Sequence, residues 1–465
     1  MSSIAQWTRI FKSAITRSQA VMALLAVAEV ERRCREVDHR WRESFWSPTT
    51  TLTTFLFQAL NGAKTLRAAV ADMLEVVLSR EVDPSRTLPS DDPSAFCAAR
   101  RRLPEAVIEA TLREAVARIV SLAGEPMRWI GRRVWIVDGS SATMPDEPEL
   151  QEAFPQPPGQ RPGCGFPVMR ILAVFCWGTG AMLDVVMGSL HEHERTLFRR
   201  IIDRFGPGDV VLADRGFCSY VDIARLAGRG ADVVFRLHQR RSSDFRKGRR
   251  LGSGDCLVTW TRPKWIPSCG LSREEFEALP DEMILRMVKT TRTPRGFRSK
   301  EIVVVTTILD PEEASADDLR VLYRDRWMAE MNLDSLKTHL GMDELRGRSV
   351  DVVRKEVLMH TLLYNLIRVL MWEAAQTAGK DVRRLSFTGT LHRLRSLGRP
   401  LLGRAARGGD DEARMAALLA WIAGDVVPER PGRVEPSRVK RRPKNYSRLV
   451  KPRSHYHRRS EDLCR

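Results

Sequence analysis

Three acidic residues in this sequence stand where carboxylates can do chemistry. Asp138 closes the apolar run Arg133-Val134-Trp135-Ile136-Val137, and Asp214 closes Gly208-Asp209-Val210-Val211-Leu212-Ala213. Each enters a Gly-containing turn, so a carboxylate can point outward while its backbone stays anchored in a buried strand. The third, Glu330, belongs to the set Tyr323, Arg326, Glu330 and Lys337, with the spacing Tyr-x2-Arg-x3-Glu-x6-Lys. On a uniform helix, offsets of 3, 7 and 14 place the four on one face. A core-facing stripe would be apolar; this one carries a phenol, a guanidinium, a carboxylate and an ammonium. Arginine grips phosphate bidentately and lysine as a point charge, and cations beside Glu330 favour its charged form. Two strand-end acids plus one from a helix are a donor set for hard divalent ions. Two Mg²⁺ ions about 3.5–4 Å apart can activate one oxygen and stabilise another in phosphodiester chemistry. Taken singly, each acid is as well explained as a solvated surface residue in salt bridges; the argument rests on their conjunction.

The elements that must position these residues follow from the hydrophobic pattern. Residues 1–128 read as a helical region, with apolar three-to-four spacing through Ile15–Val30, Thr51–Leu78 and Val107–Leu122. Thr51-x-x-Thr54 with Gly62 and Ala63 suits a helix-turn-helix or a plain helical bundle. From Arg132 the texture becomes α/β over 129–239: a strand to Asp138, a hairpin of 168–177 and 181–189 turning at Gly178–Gly180, a helix from Glu192 to Phe205, a strand to Asp214, a helix from Tyr220 to Ala227, and a strand Asp232–Leu237. That order predicts a mixed sheet covered by helices. Residues 240–312 read as a β-rich insertion with runs at Cys256–Thr261, Met283–Thr290 and Glu301–Leu309. Residues 313–380 supply one long helix, Tyr323–Leu340, and an apolar one, Val350–Ala375. Two further helices are expected within 381–428. The last segment, 429–465, carries 13 Lys and Arg against 4 Asp and Glu, half of the chain's net +18, and reads as a basic, extended arm.

That charge implies a polyanionic partner, and DNA, RNA and an anionic membrane all qualify. No apolar run approaches the roughly 20 residues needed to span a bilayer, which excludes a membrane protein of that kind. Eight scattered Cys with no C-x-x-C pair read as reduced thiols in a cytoplasmic protein and argue against structural zinc. No G-x-x-x-x-G-K-[ST] loop or G-x-S-x-G elbow is present, so no nucleotide cofactor of the P-loop kind and no hydrolase of that type are expected. His191-Glu192-His193-Glu194 has the residue types of a metal cluster, but at a helix start its acids read as capping groups. His339 reads as structural, and Trp260 and Trp265 as packing residues or base-stacking platforms.

Taken in order, these motifs resemble the DDE transposases of the insertion-sequence-4 family. The Tyr323/Arg326/Glu330/Lys337 spacing looks like that family's signature, and Arg326-Trp327 like its Arg-Trp pair. Ala213-Asp214-Arg215-Gly216-Phe217 is similar to the motif around its second Asp. Val137-Asp138-Gly139-Ser140-Ser141, followed by Met144-Pro145-Asp146 and Gly165-Phe166-Pro167, resembles the region of its first. The likeness spans about 130–375. It implies a ribonuclease-H-like core interrupted by a β insertion. It further implies Mg²⁺-dependent (or Mn²⁺-dependent) nicking at element ends in double-stranded DNA, synapsis as a homodimer, and strand transfer to target DNA. Asp138, Asp214 and Glu330 would bind two metal ions, and Tyr323, Arg326, Trp327 and Lys337 would contact DNA. Some relatives stack a flipped base on a Trp from the strand closing the insertion, and Glu301–Leu309 has no aromatic. Two other readings fit the same residues: another Mg-dependent DNA nuclease on this core, and an inactive, DNA-binding relative.

Overall fold

The computed structural model describes residues 24–62, 65–78, 90–123, 128–292, 300–403, 410–428 and 449–452. Most of the basic arm expected at 429–465, and most of the first helical stretch before Leu24, lie outside the described residues. The chain divides into two units: one of 1–127, 175–185 and 331–427, the other of 128–174, 186–330 and 428–465. The division passes through the hairpin strands and through the helix that carries Glu330.

Among the described residues the sheet has nine strands, in the order β3-β2-β1-β4-β5-β9-β8-β7-β6. These are β1 (Arg133–Thr143), β2 (Val168–Cys176), β3 (Met182–Ser189), β4 (Asp209–Ala213), β5 (Asp232–Arg236), β6 (Arg249–Gly252), β7 (Asp255–Thr261), β8 (Glu282–Arg292) and β9 (Lys300–Thr306). β1 pairs parallel with β4, and β4 with β5. Parallel strands are covered on both faces and so read as unbroken apolar runs; β4 is buried along its whole length and Val134–Val137 of β1 are buried. This is the α/β mixed sheet flanked by helices that the order of elements predicted. The β-rich stretch after 240 is continuous with it: β9 pairs antiparallel with β5, β8 with β9, β7 with β8 and β6 with β7. Alternation within 240–312 revealed three of the four strands, missing short β6, and not their docking on β5, because strand period carries no information about pairing partner.

Three elements differ in length from the sequence reading. β1 continues past Asp138 to Thr143, although its pairing with β4 stops at Val137↔Ala213. The helix expected over Glu192–Phe205 is a short helix, Glu194–Arg199, followed by a 3₁₀ turn at Ile202–Arg204. The single long helix expected over Tyr323–Leu340 is Ala316–Asp325, then Trp327–Asp334, then a π turn at Ser335–His339. Around Arg326 the bonds tighten to the i→i−3 type, Arg326 N to Tyr323 O at 3.2 Å and Ala329 N to Arg326 O at 3.0 Å. At the other end Leu340 N reaches back five residues to Ser335 O at 3.1 Å. A uniform 3.6-residue period cannot anticipate such local tightening and widening.

Within the α/β unit, the N-terminus of Ala316–Asp325 is fixed twice. Ser315 and Asp318 form a reciprocal capping box. Just before it, Arg286 of β8, fully buried, donates Nε to Asp255 Oδ1 (2.9 Å), Nη2 to Asp255 Oδ2 (2.6 Å) and Nη1 to the Ala314 carbonyl (2.7 Å). The β insertion thus holds the start of the helix that carries Tyr323 and is capped by Arg326.

The other unit is helical. Its axis is Val350–Ala378, buried on nearly every face and ended by Gly379 in the left-handed conformation at φ 61°. Pro48–Asn61 is capped by Ser47, whose side chain accepts from Thr50 N, and stops at Gly62 with φ 63°. The long helix also fixes the hairpin turn of the same unit. Asn365 accepts from Met182 N at 2.8 Å and donates to Met182 O at 2.9 Å, and Tyr364 donates to the Gly180 carbonyl at 2.7 Å. Among the described residues no helix is long and apolar enough to cross a membrane.

Candidate active site

The two aspartates are brought together by register. Val137 of β1 is the Cα partner of Ala213 of β4, so Asp138 and Asp214 are the next residues on both sides where the parallel β1–β4 pairing ends, at the carboxyl end of β4. This is the edge at which open α/β sheets place their ligand sites. Ala213 in turn pairs with Phe235 of β5, so Arg236 flanks Asp214 on the other side, with Nη1 3.7 Å from Asp214 Oδ1.

Arg326 links the first aspartate to the helix glutamate. Its Nη2 donates to Glu330 Oε1 at 2.7 Å, and its Nη1 lies 3.6 Å from Asp138 Oδ2. Tyr323 donates its hydroxyl to Asp214 Oδ1 at 3.4 Å. Burial pushes the phenol pKa up, and the Asp214 charge adds to the rise, so the hydroxyl keeps its proton to donate. Asp138, Asp214, Tyr323, Arg326 and Glu330 therefore form one polar constellation within the α/β unit. Trp327, the next residue, is half exposed. Lys337 lies in the π turn, partly exposed, and belongs to the helical unit.

Asp138 is electrostatically under-compensated. Burial pushes its carboxyl up to about 6; Arg326 and the Gly139 N–H, which donates to Oδ1 at 2.9 Å, pull it back, and Glu330 and Glu194 add to the rise. Glu194 is a participant that strand-end reasoning did not select. A Cβ on Gly139 would lie 2.5 Å from its carboxyl group, so the absence of a side chain at 139 lets this acid approach Asp138. Arg170 is its cationic neighbour at 3.7 Å. The only sequence signal was its membership of the His191–Glu194 run.

The remaining candidates fall elsewhere. In that run, Glu192 accepts from Ser189 N at 2.9 Å and pairs with Arg200, and His193 is the residue before the helix. Trp260 is buried under the Arg241 guanidinium, 3.6 Å from the ring centre, whereas Trp265 is more than a third exposed and donates Nε1 to Leu271 O. His339 Nε2 lies 3.8 Å from Asp334.

Among the described residues no three His, Cys, Asp or Glu side chains converge closely enough to hold a metal ion. The donor chemistry nonetheless suits one. Asp138 and Asp214 supply neighbouring hard oxygens, Arg326 stands as a cation between Asp138 and Glu330, and burial, which raises the Asp138 pKa, penalises a carboxylate charge that a bound cation would offset.

Comparison with known proteins identifies the family. Residues 129–366, just over half the chain, match the family described as the transposase DDE domain, and the chain belongs to that DDE transposase family. One relative is the transposase InsG for insertion sequence element IS4 of Escherichia coli (strain K12). It is 24% identical over 361 residues, covering 76% of this chain and 78% of that one, which accords with an insertion-sequence-4 type of transposase. A solved structure, the cryo-EM piggyBac transposase synaptic complex with hairpin DNA, superposes with a TM-score of 0.41 at 12% identity, covering 89% of this chain and 85% of that one.

Proposed function

We propose that this transposase binds the terminal inverted repeats of its own insertion sequence and catalyses metal-dependent strand cleavage and strand transfer, with two Mg²⁺ (or Mn²⁺) ions held by Asp138, Asp214 and Glu330. The observation that carries the reading is the register Val137↔Ala213, which makes the two aspartates neighbours at the carboxyl edge of parallel strands, with Glu330 tied to Asp138 through Arg326. Bound at these carboxylates, the ions would supply an activated oxygen nucleophile and stabilise the departing 3′ oxygen. Arg326, freed from its carboxylate partners, offers a planar pair of donors to a phosphate adjoining the cut. Tyr323 orients Asp214 through its hydroxyl, and with that carboxylate turned to an ion its single proton would be free to donate to the same backbone. Lys337 adds a point charge for phosphate, and half-exposed Trp327 adds a face for a base. The synaptic assembly in this reading is a homodimer holding two element ends before target capture.

The test is direct. Purified protein is incubated with a duplex bearing the element's end and its flank, with Mg²⁺, and the cut strands are mapped. Cleavage at the end boundary, lost in Asp138→Ala, is the expected result. Full Mg²⁺-dependent cleavage by Asp138→Ala overturns the assignment.

A further inference from the structure

Beyond the catalytic helix, the α/β unit carries a second concentration of positive charge. Arg195 lies on the short helix Glu194–Arg199 that precedes β4, Arg215 directly follows Asp214 at the end of β4, and Arg240 follows β5. All three side chains are exposed and none forms an ion pair among the described residues. The short helix that carries Arg195 packs against the turn Arg215–Phe217, with Phe198 edge-on to Phe217 at 5.5 Å between ring centres, and the same turn packs on β5, which leads to Arg240. Burial, and then the charges of Arg240, Arg195, Arg215 and Arg241, lower the His238 pKa.

The segment is also ordered for its task. Arg215 donates Nη1 to Gln239 Oε1 at 2.9 Å, tying the loop after β4 to the loop after β5. The His238 ring accepts at Nδ1 from Arg240 N at 3.2 Å, and Arg241 is seated over Trp260, which pins the end of the loop to β7. Exposed like charges that form no ion pair attract a polyanion. Arg215 is the immediate neighbour of Asp214, so that polyanion passes the catalytic carboxylates.

We propose that Arg195, Arg215 and Arg240, set on the elements flanking β4 and β5, form a phosphate-binding rim for the strand of duplex DNA that runs past Asp214. This inference rests on the catalytic reading of Asp138, Asp214 and Glu330. It adds a DNA contact surface outside the Tyr323–Lys337 stripe. The rim works through charge on backbone phosphates, so it contributes affinity and register rather than base discrimination.

The experiment measures binding of a fluorescent duplex carrying the element's end, in EDTA, over roughly 50–300 mM NaCl, where each lost phosphate contact lowers the slope of log K against log salt by about 0.9. The triple variant Arg195→Ala, Arg215→Ala, Arg240→Ala is expected to lower that slope by about 2–3 and to weaken binding at least about tenfold at the lowest salt. The matching triple Lys variant should keep most of the slope. A triple Ala variant with the wild-type slope overturns the rim, as does an affinity loss that is the same at every salt concentration. Because this assay contains no metal and no cleavage step, it is independent of the catalytic reading. A wild-type protein that binds but does not cut with Mg²⁺ refutes that reading alone.

Discussion

Arg326 and Glu330, one helical turn apart, are joined at 2.7 Å, and the same guanidinium reaches Asp138 at 3.6 Å. Arg326 thus neutralises two carboxylates drawn from a helix and a strand that meet only in the folded chain. In the proposed function a divalent ion at those oxygens would compete with it, coupling metal binding to release of an arginine able to take phosphate. Asp138→Asn, Asp214→Asn and Glu330→Gln should each lower end cleavage at least about a thousandfold, the equivalent of several kcal/mol of transition-state stabilisation. End binding in EDTA should stay within a few-fold of wild type. Gel assays of cleavage and of binding, run side by side, separate the two.

Metal affinity should depend on pH through Asp138. Its carboxyl is raised to about 6 by burial, so below that pH a proton competes for the ligand oxygen. The stabilisation of the protein by Mg²⁺, read as a shift in Tm, should be full at pH 7.5 and should shrink steeply from pH 6 to pH 5. A constant Mg²⁺ shift across that window contradicts this role of Asp138.

The same shift predicts a trade of stability for function. The ordinary value for this carboxyl is 3.8 and the folded value is about 6, so the folded state binds the proton more tightly. The penalty for charging Asp138 is absent below about pH 4, grows between 4 and 6, and is full above 6. Asp138→Asn should therefore be more stable than wild type at pH 7.5 without metal, by on the order of 1–2 kcal/mol after allowing for the lost Arg326 contact, and the gain should vanish at pH 4. Urea unfolding at the two pH values measures it.

The buried Arg286–Asp255 pair should be structurally critical. Arg286→Leu leaves Asp255 buried without its partner and frees the Ala314 carbonyl, and should cost about 3–5 kcal/mol. The double variant Asp255→Leu with Arg286→Leu should recover a large part of the loss, because no buried charge is then stranded. Chemical denaturation of the wild type, the Asp255→Leu and Arg286→Leu single variants and the double variant completes the cycle.

Trp327 offers a contrast. It is half exposed beside Arg326, so Trp327→Ala should change stability by no more than about 0.5 kcal/mol. If its ring stacks on a base, as the proposed function requires, DNA affinity should fall by about 1–3 kcal/mol. Unchanged affinity removes Trp327 from the DNA contacts.

By itself the sequence determined the parts whose physics is local. Apolar runs ending at Asp138 and Asp214 marked buried strands, because a parallel strand buries both faces. The polar stripe from Tyr323 to Glu330 marked a helix facing something other than the core. Only the tertiary structure decided what local pattern does not encode. The pairing Val137↔Ala213 made the two aspartates neighbours. The docking of β9 on β5 turned a separate-looking insertion into a continuation of the sheet. The bare Gly139 admitted Glu194 beside Asp138. The π turn placed Lys337 off a uniform helical period. Each of these depends on contacts between residues far apart in the chain or on small departures from regular hydrogen bonding, and a periodicity of 2 or 3.6 residues is blind to both.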